Sequence, residues 1–236
     1  MHEVAIEPLS LDRLVAALDG ERAEHVGRSA ERARSTFGDR TVWHVNATSQ
    51  GGGVAEMLQV LLAYGTGASV PNRWLVLDGD PAFFAITKRI HNLLHGNPGD
   101  GGELGPDEHA HYREVLAGNL SAMLELVTPG DLVLLHDPQT AGMVGGLRAA
   151  GLHVVFRSHV GRDTPDQHTE RAWGFLRPYV ESADAFVFSR REYAPEWIEE
   201  DRLVIIPPSI DPFSTKNREL APATVDAVLA TAGLVT

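Results

Sequence analysis

The sequence predicts an α/β fold built on a single doubly wound parallel sheet. Three observations carry that prediction. Six short apolar or β-branched runs alternate with stretches of helical spacing, the run 132–135 is apolar without interruption, and a glycine-rich turn joins the first run to the helix behind it. Alternation of this kind implies right-handed crossovers between parallel strands, and an uninterrupted apolar strand implies cover on both faces.

Residues 9–37 have helical spacing. Ser10 is placed to cap a helix carrying Leu11, Leu14, Val15 and Leu18, and a charged, alanine-rich helix follows from Glu21. Residues 1–40 are therefore expected to be a helical segment packed on the domain, across the sheet edge.

The chain is organised around residues 41–62. Thr41, Val42, Trp43 and Val45 suit a buried strand; Gly51, Gly52 and Gly53 break it; Val54, Met57, Leu58, Leu61 and Leu62 then recur at helical spacing. A turn without Cβ atoms lets successive backbone N–H groups face an anion at a helix N-terminus, and a phosphate fits that description. The turn lacks the Lys-Ser/Thr of a P-loop, and Glu56 stands where a dinucleotide fingerprint has its last glycine, which disfavours NAD. A turn that merely joins strand to helix is the bland alternative. A side chain at position 52 is compatible with the fold only if φ there is negative.

A second strand spans 74–77 and ends at the turn cluster Asp78, Gly79, Asp80 and Pro81. Phe83, Ile86, Thr87, Ile90 and Leu94 then mark a core helix with His91 and Asn92 near its C-terminal end. Residues 95–106 hold five glycines and two prolines and read as an exposed, mobile loop, a candidate lid. A long helix from 106 to 127 precedes the strand 131–136, which delivers His136, Asp137 and Gln139 to its C-terminal edge, where open α/β sheets place their ligands. The pattern repeats with a helix to 150, a strand 153–157 ending at Ser158 and His159, and a helix carrying Trp173, Leu176, Tyr179 and Val180. Strands at 185–189 and 203–206, a short helix at 193–198 and a last helix at 224–234 complete the chain.

Bulk properties narrow the function classes. The 236 residues are 43% hydrophobic, enough for a substantial core, and the net charge of −12 with no basic cluster argues against nucleic acid as a partner. No apolar run reaches about 18 residues and no leader pattern opens the chain, so no membrane partner is expected and the cytoplasm is the expected compartment. With no cysteine, disulfides and thiolate metal sites are excluded.

Three strand ends thus converge on one edge: the glycine turn, His136 with Asp137, and Arg157 with His159. His136, Asp137 and His159 have the residue types of a facial metal triad, but nothing in the sequence supplies a second shell, and neither a metal nor a cofactor is expected.

Several stretches together resemble the N-terminal domain of nucleotide-sugar-dependent trehalose synthases. They are WHVNATSQGGGVAEML, TKRIHNLLHGN, LLHDPQ, the RSH of Arg157 to His159, AWGFLRPYVESAD and IIPPSIDPFSTKN. Those enzymes are retaining family 4 glycosyltransferases of GT-B fold, with trehalose phosphorylases as relatives. The resemblance implies a Rossmann-like half that binds the acceptor sugar and touches the donor across a cleft. It divides the chain into the helical segment 1–40, an acceptor-binding domain 41–213 and a linker helix 214–236, with the donor-binding domain absent. It implies that Gly51, Gly52 and Gly53 meet the donor phosphates, that His159 and Asp137 are catalytic, hydrogen-bonding the donor sugar and an acceptor hydroxyl, and that His91, Asn92, His136, Gln139 and Arg157 line the acceptor pocket. The partners implied are a nucleotide-glucose donor, a glucose acceptor and a C-terminal donor domain in cis or in trans; a homodimer is a further partner to be tested. Relatives continue after the strand-end His with Ile-Asp, where this chain has Val160 and Gly161, which alters one acceptor-side contact, although Asp163 lies nearby. Glu192 and Glu200 match the spacing of the family's glutamate pair but precede Pro207-Pro208, and the match is taken as chance.

Overall fold

The computed structural model describes residues 1–209, 211, 213, 214, 217 and 219–235. Ile210, Pro212, Thr215 and Lys216, part of the IIPPSIDPFSTKN stretch, lie outside the described residues, as do Arg218 and Thr236.

The elements run β1 (His2–Val4), α1 (Asp12–Ala16), α2 (Gly20–Phe37), β2 (Val42–Asn46), α3 (Gly53–Gly67), β3 (Asn72–Val76), α4 (Pro81–Leu94) and α5 (Pro106–Leu124). They continue with β4 (Leu132–His136), α6 (Val144–Ala149), β5 (His153–Ser158), α7 (Gln167–Val180), β6 (Ala185–Phe188), β7 (Leu203–Ile205) and α8 (Pro222–Thr231). One seven-stranded sheet has the order β1-β3-β2-β4-β5-β6-β7. Six strands pair in parallel as expected, and a seventh departs from the sequence reading: β1 adds antiparallel to β3, pairing Glu3 with Leu75. The 1–40 segment, expected to be helical, thus begins with a strand and carries its helices within residues 9–37, where helical spacing was read. Three residues, HEV, carry no periodicity; what recruits them is the open edge of β3, whose backbone groups need partners.

Local chemistry explains the helix starts. Asp19 caps α2 by accepting the Arg22 N–H at 2.9 Å, and Asp80 caps α4 by accepting the Phe83 N–H at 2.8 Å with Pro81 in the first turn. Ser10 Oγ accepts the Asp12 N–H at 3.1 Å at the entry to α1, one residue before the helical position that Leu11 holds. The loop read as a mobile lid is exposed but stapled: the Arg89 guanidinium grips Asp100 through two bonds of 2.7 and 3.0 Å, and Arg171 donates to the Gly102 carbonyl at 2.8 Å.

Alternation along the strands sorts side chains to two faces. Trp43 and Val45 of β2, Val133 and Leu135 of β4, Val154 and Phe156 of β5 and Phe186 and Phe188 of β6 enter one large apolar core beneath α4, α5, α6 and α7. Each such side chain, fully buried, contributes about 1.5–3 kcal/mol. The other face carries a smaller cluster, in which Ala55, Leu58 and Leu62 of α3 pack on Trp74 and Val76 of β3. His44, Asn46, His136 and Arg157 alternate with the first set and so lie on this second face, all buried.

The chain travels from β2 outward to β3, then reverses past β2 to β4. The crevice beyond the C-terminal ends of β2 and β4 is therefore the topological switch point, where such sheets bind ligands. No helix among the described residues is long and apolar enough to cross a membrane.

Candidate functional site

Asp137 follows β4 directly and takes a left-handed backbone, φ 63°. An L-residue in that region carries strain of about 1 kcal/mol, and the turn's hydrogen bonds hold it there. The Asp137 N–H donates to the Arg157 carbonyl at 2.9 Å, and the Asp137 carbonyl accepts the Thr140 N–H and Oγ1–H, each at 3.1 Å. The residue is 9% exposed, and its Oδ1 accepts the backbone N–H of His159 at 2.8 Å. Burial pushes the carboxyl up to about 7, against the opposing pull of that bond and of the Arg157 charge. One side chain thus ties the β4 turn to the β5 turn and sits near the midpoint of its titration at neutral pH.

On the α3 face a second feature joins the same strands. His44 Nδ1 lies 3.2 Å from His136 Nε2, and His136 Nδ1 lies 2.9 Å from His159 Nε2. Burial first, then the Arg157 charge, brings His44 and His159 down to about 3, and His136 is held well below the ordinary histidine value mainly by burial. All three rings are neutral at physiological pH. Both nitrogens of His136 are engaged by its neighbours, so none is left to ligate an ion, and among the described residues no group of three or more His, Asp or Glu is arranged to hold a metal.

Arg157 is 7% exposed, and among the described residues its side chain makes one hydrogen bond, a 3.9 Å contact from Nη2 to Met57 Sδ. Burial disfavours its charged form, and Asp137 partly restores it. A guanidinium so poorly matched, beside the first turns of α3, can receive an anion.

The glycine turn meets the same crevice. Gly51 and Gly52 have φ of +71° and +82°, and Gly52 is the capping residue of α3 with no side-chain cap. A Cβ built on Gly51, Gly52 or Gly53 meets nothing within 4 Å, so the turn's backbone faces open space. The condition for placing a side chain at Gly52, a negative φ, is not met; the requirement for glycine is conformational rather than steric.

The remaining candidates sit further out. Gly96, just past α4, packs so closely on the Arg162 side chain of the loop after β5 that no Cβ would fit there, so the end of α4 that carries His91 and Asn92 adjoins that loop. His91 is half-buried beside Asn92, its ring packs edge-on against His95 at 4.8 Å between centroids, and its Nδ1 finds no hydrogen-bond partner of good geometry among the described residues. Gln139 is half-buried in the turn after Asp137. Among the described residues no hydrogen bond links His91, Asn92 or Gln139 to Asp137 or His159. Glu192 and Glu200 are exposed and face Arg190 and Arg191 at 3.6 and 2.6 Å. His44 escaped the sequence reading: its role needs the strand register, which pairs it with Leu134 and so sets it diagonally to His136.

Comparison with known proteins agrees with this architecture. A family described as trehalose synthase, N-terminal domain, matches residues 44–195. The trehalose synthase of Rubrobacter xylanophilus is 38% identical over 203 residues, 85% of this chain and 47% of that protein. That of Thermococcus litoralis is 37% identical over 203 residues, 85% of this chain and 46% of that protein. A trehalose phosphorylase of Pleurotus pulmonarius is 27% identical over 190 residues, 75% of this chain and 26% of that protein. The chain spans just under half the length of the trehalose synthases it matches. Among solved structures, the E. coli trehalose-6-phosphate protein bound with UDP-2-fluoro glucose superposes with a TM-score of 0.59 over 83% of this chain and 55% of that one at 14% identity, a likeness of fold. The match over residues 44–195 and the identity to the trehalose synthases place this chain in the family of trehalose synthase N-terminal domains, and its mostly parallel sheet with a crevice at the switch point is the Rossmann-like fold expected of it.

Proposed function

We propose that this chain is the acceptor-binding half of a retaining glucosyltransferase that makes trehalose from a nucleotide-glucose and glucose. The observation that carries the reading is the meeting, at one switch point, of an uncapped glycine turn with Asp137 and His159. Glycosyl transfer builds negative charge on the departing diphosphate, and backbone N–H groups at Gly52 and Gly53 stabilise it without a basic side chain. His159 hydrogen-bonds the donor sugar, Asp137 accepts from a glucose hydroxyl, and His91, Asn92, His136, Gln139 and Arg157 shape the acceptor side. The division into 1–40, 41–213 and 214–236 is part of the proposal, as is a donor domain that supplies the nucleotide pocket in cis or in trans.

The test has two arms. Calorimetric titration of the 236-residue chain with glucose and with a nucleotide-glucose is expected to show glucose binding that Asp137→Ala weakens. Trehalose formation is expected to be negligible for the chain alone and restored by a matching donor domain. Turnover by the chain alone at about 1 per second or faster would overturn the two-domain reading. A phosphorylase half is the second reading, supported by the 27% identity to the Pleurotus enzyme; release of glucose phosphate from trehalose and phosphate by the reconstituted protein would favour it.

A further inference from the structure

The left-handed turn at Asp137 is supported from the core side by α5. That helix buries Tyr112, Leu116, Asn119 and Met123 at spacings of four, three and four, so one stripe of it faces the sheet. Two of these side chains are polar, and each reaches the turn at the end of a strand. After β3, Asn119 accepts the Asp78 N–H and donates to the Asp78 carbonyl, both at 2.8 Å. After β4, the Tyr112 hydroxyl donates to the Pro138 carbonyl at 2.5 Å and accepts the Gly142 N–H at 3.1 Å.

We propose that Tyr112 is a positioning residue for the sugar site: its hydroxyl pins Pro138 and Gly142, so that Asp137 keeps the left-handed backbone from which its carboxyl meets the His159 N–H. The inference deepens the proposed function, on which the meaning of Asp137 for glucose binding rests.

Pro138 has no N–H, so its carbonyl is the one main-chain polar group by which that residue can be tied. Among the described residues Tyr112 is the one side chain of α4 to α7 that bonds residues 137–142. Asp137 and Thr140 are tied to one another and to the ends of β4 and β5. The hydroxyl therefore joins this turn to the helical layer.

The core fixes where that hydroxyl lies. The Tyr112 ring is fully buried, stacked on Phe83 at 5.6 Å and edge-on to Phe175 at 5.4 Å between centroids. It lies so near Gly142 that a Cβ there would come within 3.0 Å of Cε1. Burial holds its ionisation far above the ordinary tyrosine value, so the group stays a donor at physiological pH. A phenylalanine keeps the ring packing and removes both bonds, which leaves a carbonyl and an N–H of the turn without their partner. The backbone at Asp137, φ 63°, then has one support fewer against relaxation.

Amide hydrogen exchange on the chain near neutral pH reads the geometry with no sugar present. In Tyr112→Phe the His159 N–H, whose acceptor is Asp137, is expected to lose about tenfold more protection than amides inside β4 and β5. Calorimetric titration is expected to show glucose bound about tenfold more weakly. Asn119→Ala removes bonds of the same kind from the same stripe of α5, but at the β3 turn; it is expected to leave the His159 amide in step with the strand interiors and glucose affinity unchanged. A role in packing alone predicts that the two variants behave alike. A His159 amide that stays in step with the strand interiors in folded Tyr112→Phe overturns the proposal, and so does altered exchange with unchanged glucose affinity. A Tyr112 hydroxyl proton that exchanges too fast to be seen by NMR in the unmodified chain overturns it even if Tyr112→Phe fails to fold. If the unmodified chain binds no glucose, the proposed function is what fails, and the exchange result still decides whether Tyr112 positions Asp137.

Discussion

Two aspartates bracket β4, and they are built for opposite ends. Asp131, just before the strand, is 6% exposed and receives three donors: the Thr41 N–H at 2.9 Å, the Trp43 indole N–H at 2.9 Å and the Thr128 N–H at 3.0 Å. Asp137, just after the strand, is 9% exposed, and among the described residues its carboxyl receives only the His159 N–H. Five residues of strand separate a carboxylate whose surroundings satisfy it from one whose surroundings leave its charge undecided. The N-terminal edge of the sheet uses a buried charge to lock β2 to β4; the C-terminal edge leaves one short of partners, where a ligand can complete it.

The same chemical change at both positions should separate them. Asp131→Asn turns an amide N–H toward groups that are themselves donors, and a loss of about 3–4 kcal/mol in urea unfolding is expected. A loss under about 1 kcal/mol would remove the distinction. Next in size, His159→Ala in the enzyme reconstituted with a donor domain should lower kcat about 100-fold, with the fold intact by circular dichroism; a near-normal kcat would move the reaction away from this edge. Asp137→Asn should stabilise the chain by about 2 kcal/mol at about pH 8, and by almost nothing at about pH 4. The sign follows from a folded pKa raised to about 7 from 3.8: stability from this group is present below 3.8 and lost as pH rises through 7. The gain should come with poorer use of glucose, and a variant less stable at both pH values would contradict the unsatisfied-charge account. Smallest, Gly52→Ala should destabilise by about 1 kcal/mol through its positive φ, measured by thermal unfolding.

The contrast also marks how far the sequence could be read. Parallel strands covered on both faces announce themselves as apolar runs, and Leu132 to Leu135 placed β4 and its C-terminal residues correctly. Glycine clusters and strand-end polar residues are local, so Gly51, Gly52, Gly53, Asp137 and His159 could be named as candidates from spacing and resemblance. What was hidden depends on pairing. β1 is defined by the edge it joins. The left-handed turn at Asp137 is imposed by bonds to Arg157 and Thr140, which no motif encodes. His44 looked like an ordinary strand residue, because its partner is 92 positions away.

The row of neutral rings makes the folded chain a poor base, and proton counting shows where that leads. Histidines held below 6.5 contribute stability that is present above 6.5 and lost as pH falls toward about 3. At about pH 5 the unfolded chain binds a proton at each of the three rings, while the folded chain holds its extra proton only at Asp137, so unfolding takes up about two protons at these four groups. Mild acid is therefore a denaturant aimed at the cleft. It is expected to destabilise the chain through the ends of β2, β4 and β5, and a thermal-unfolding midpoint that does not fall between about pH 7 and about pH 5 would contradict this.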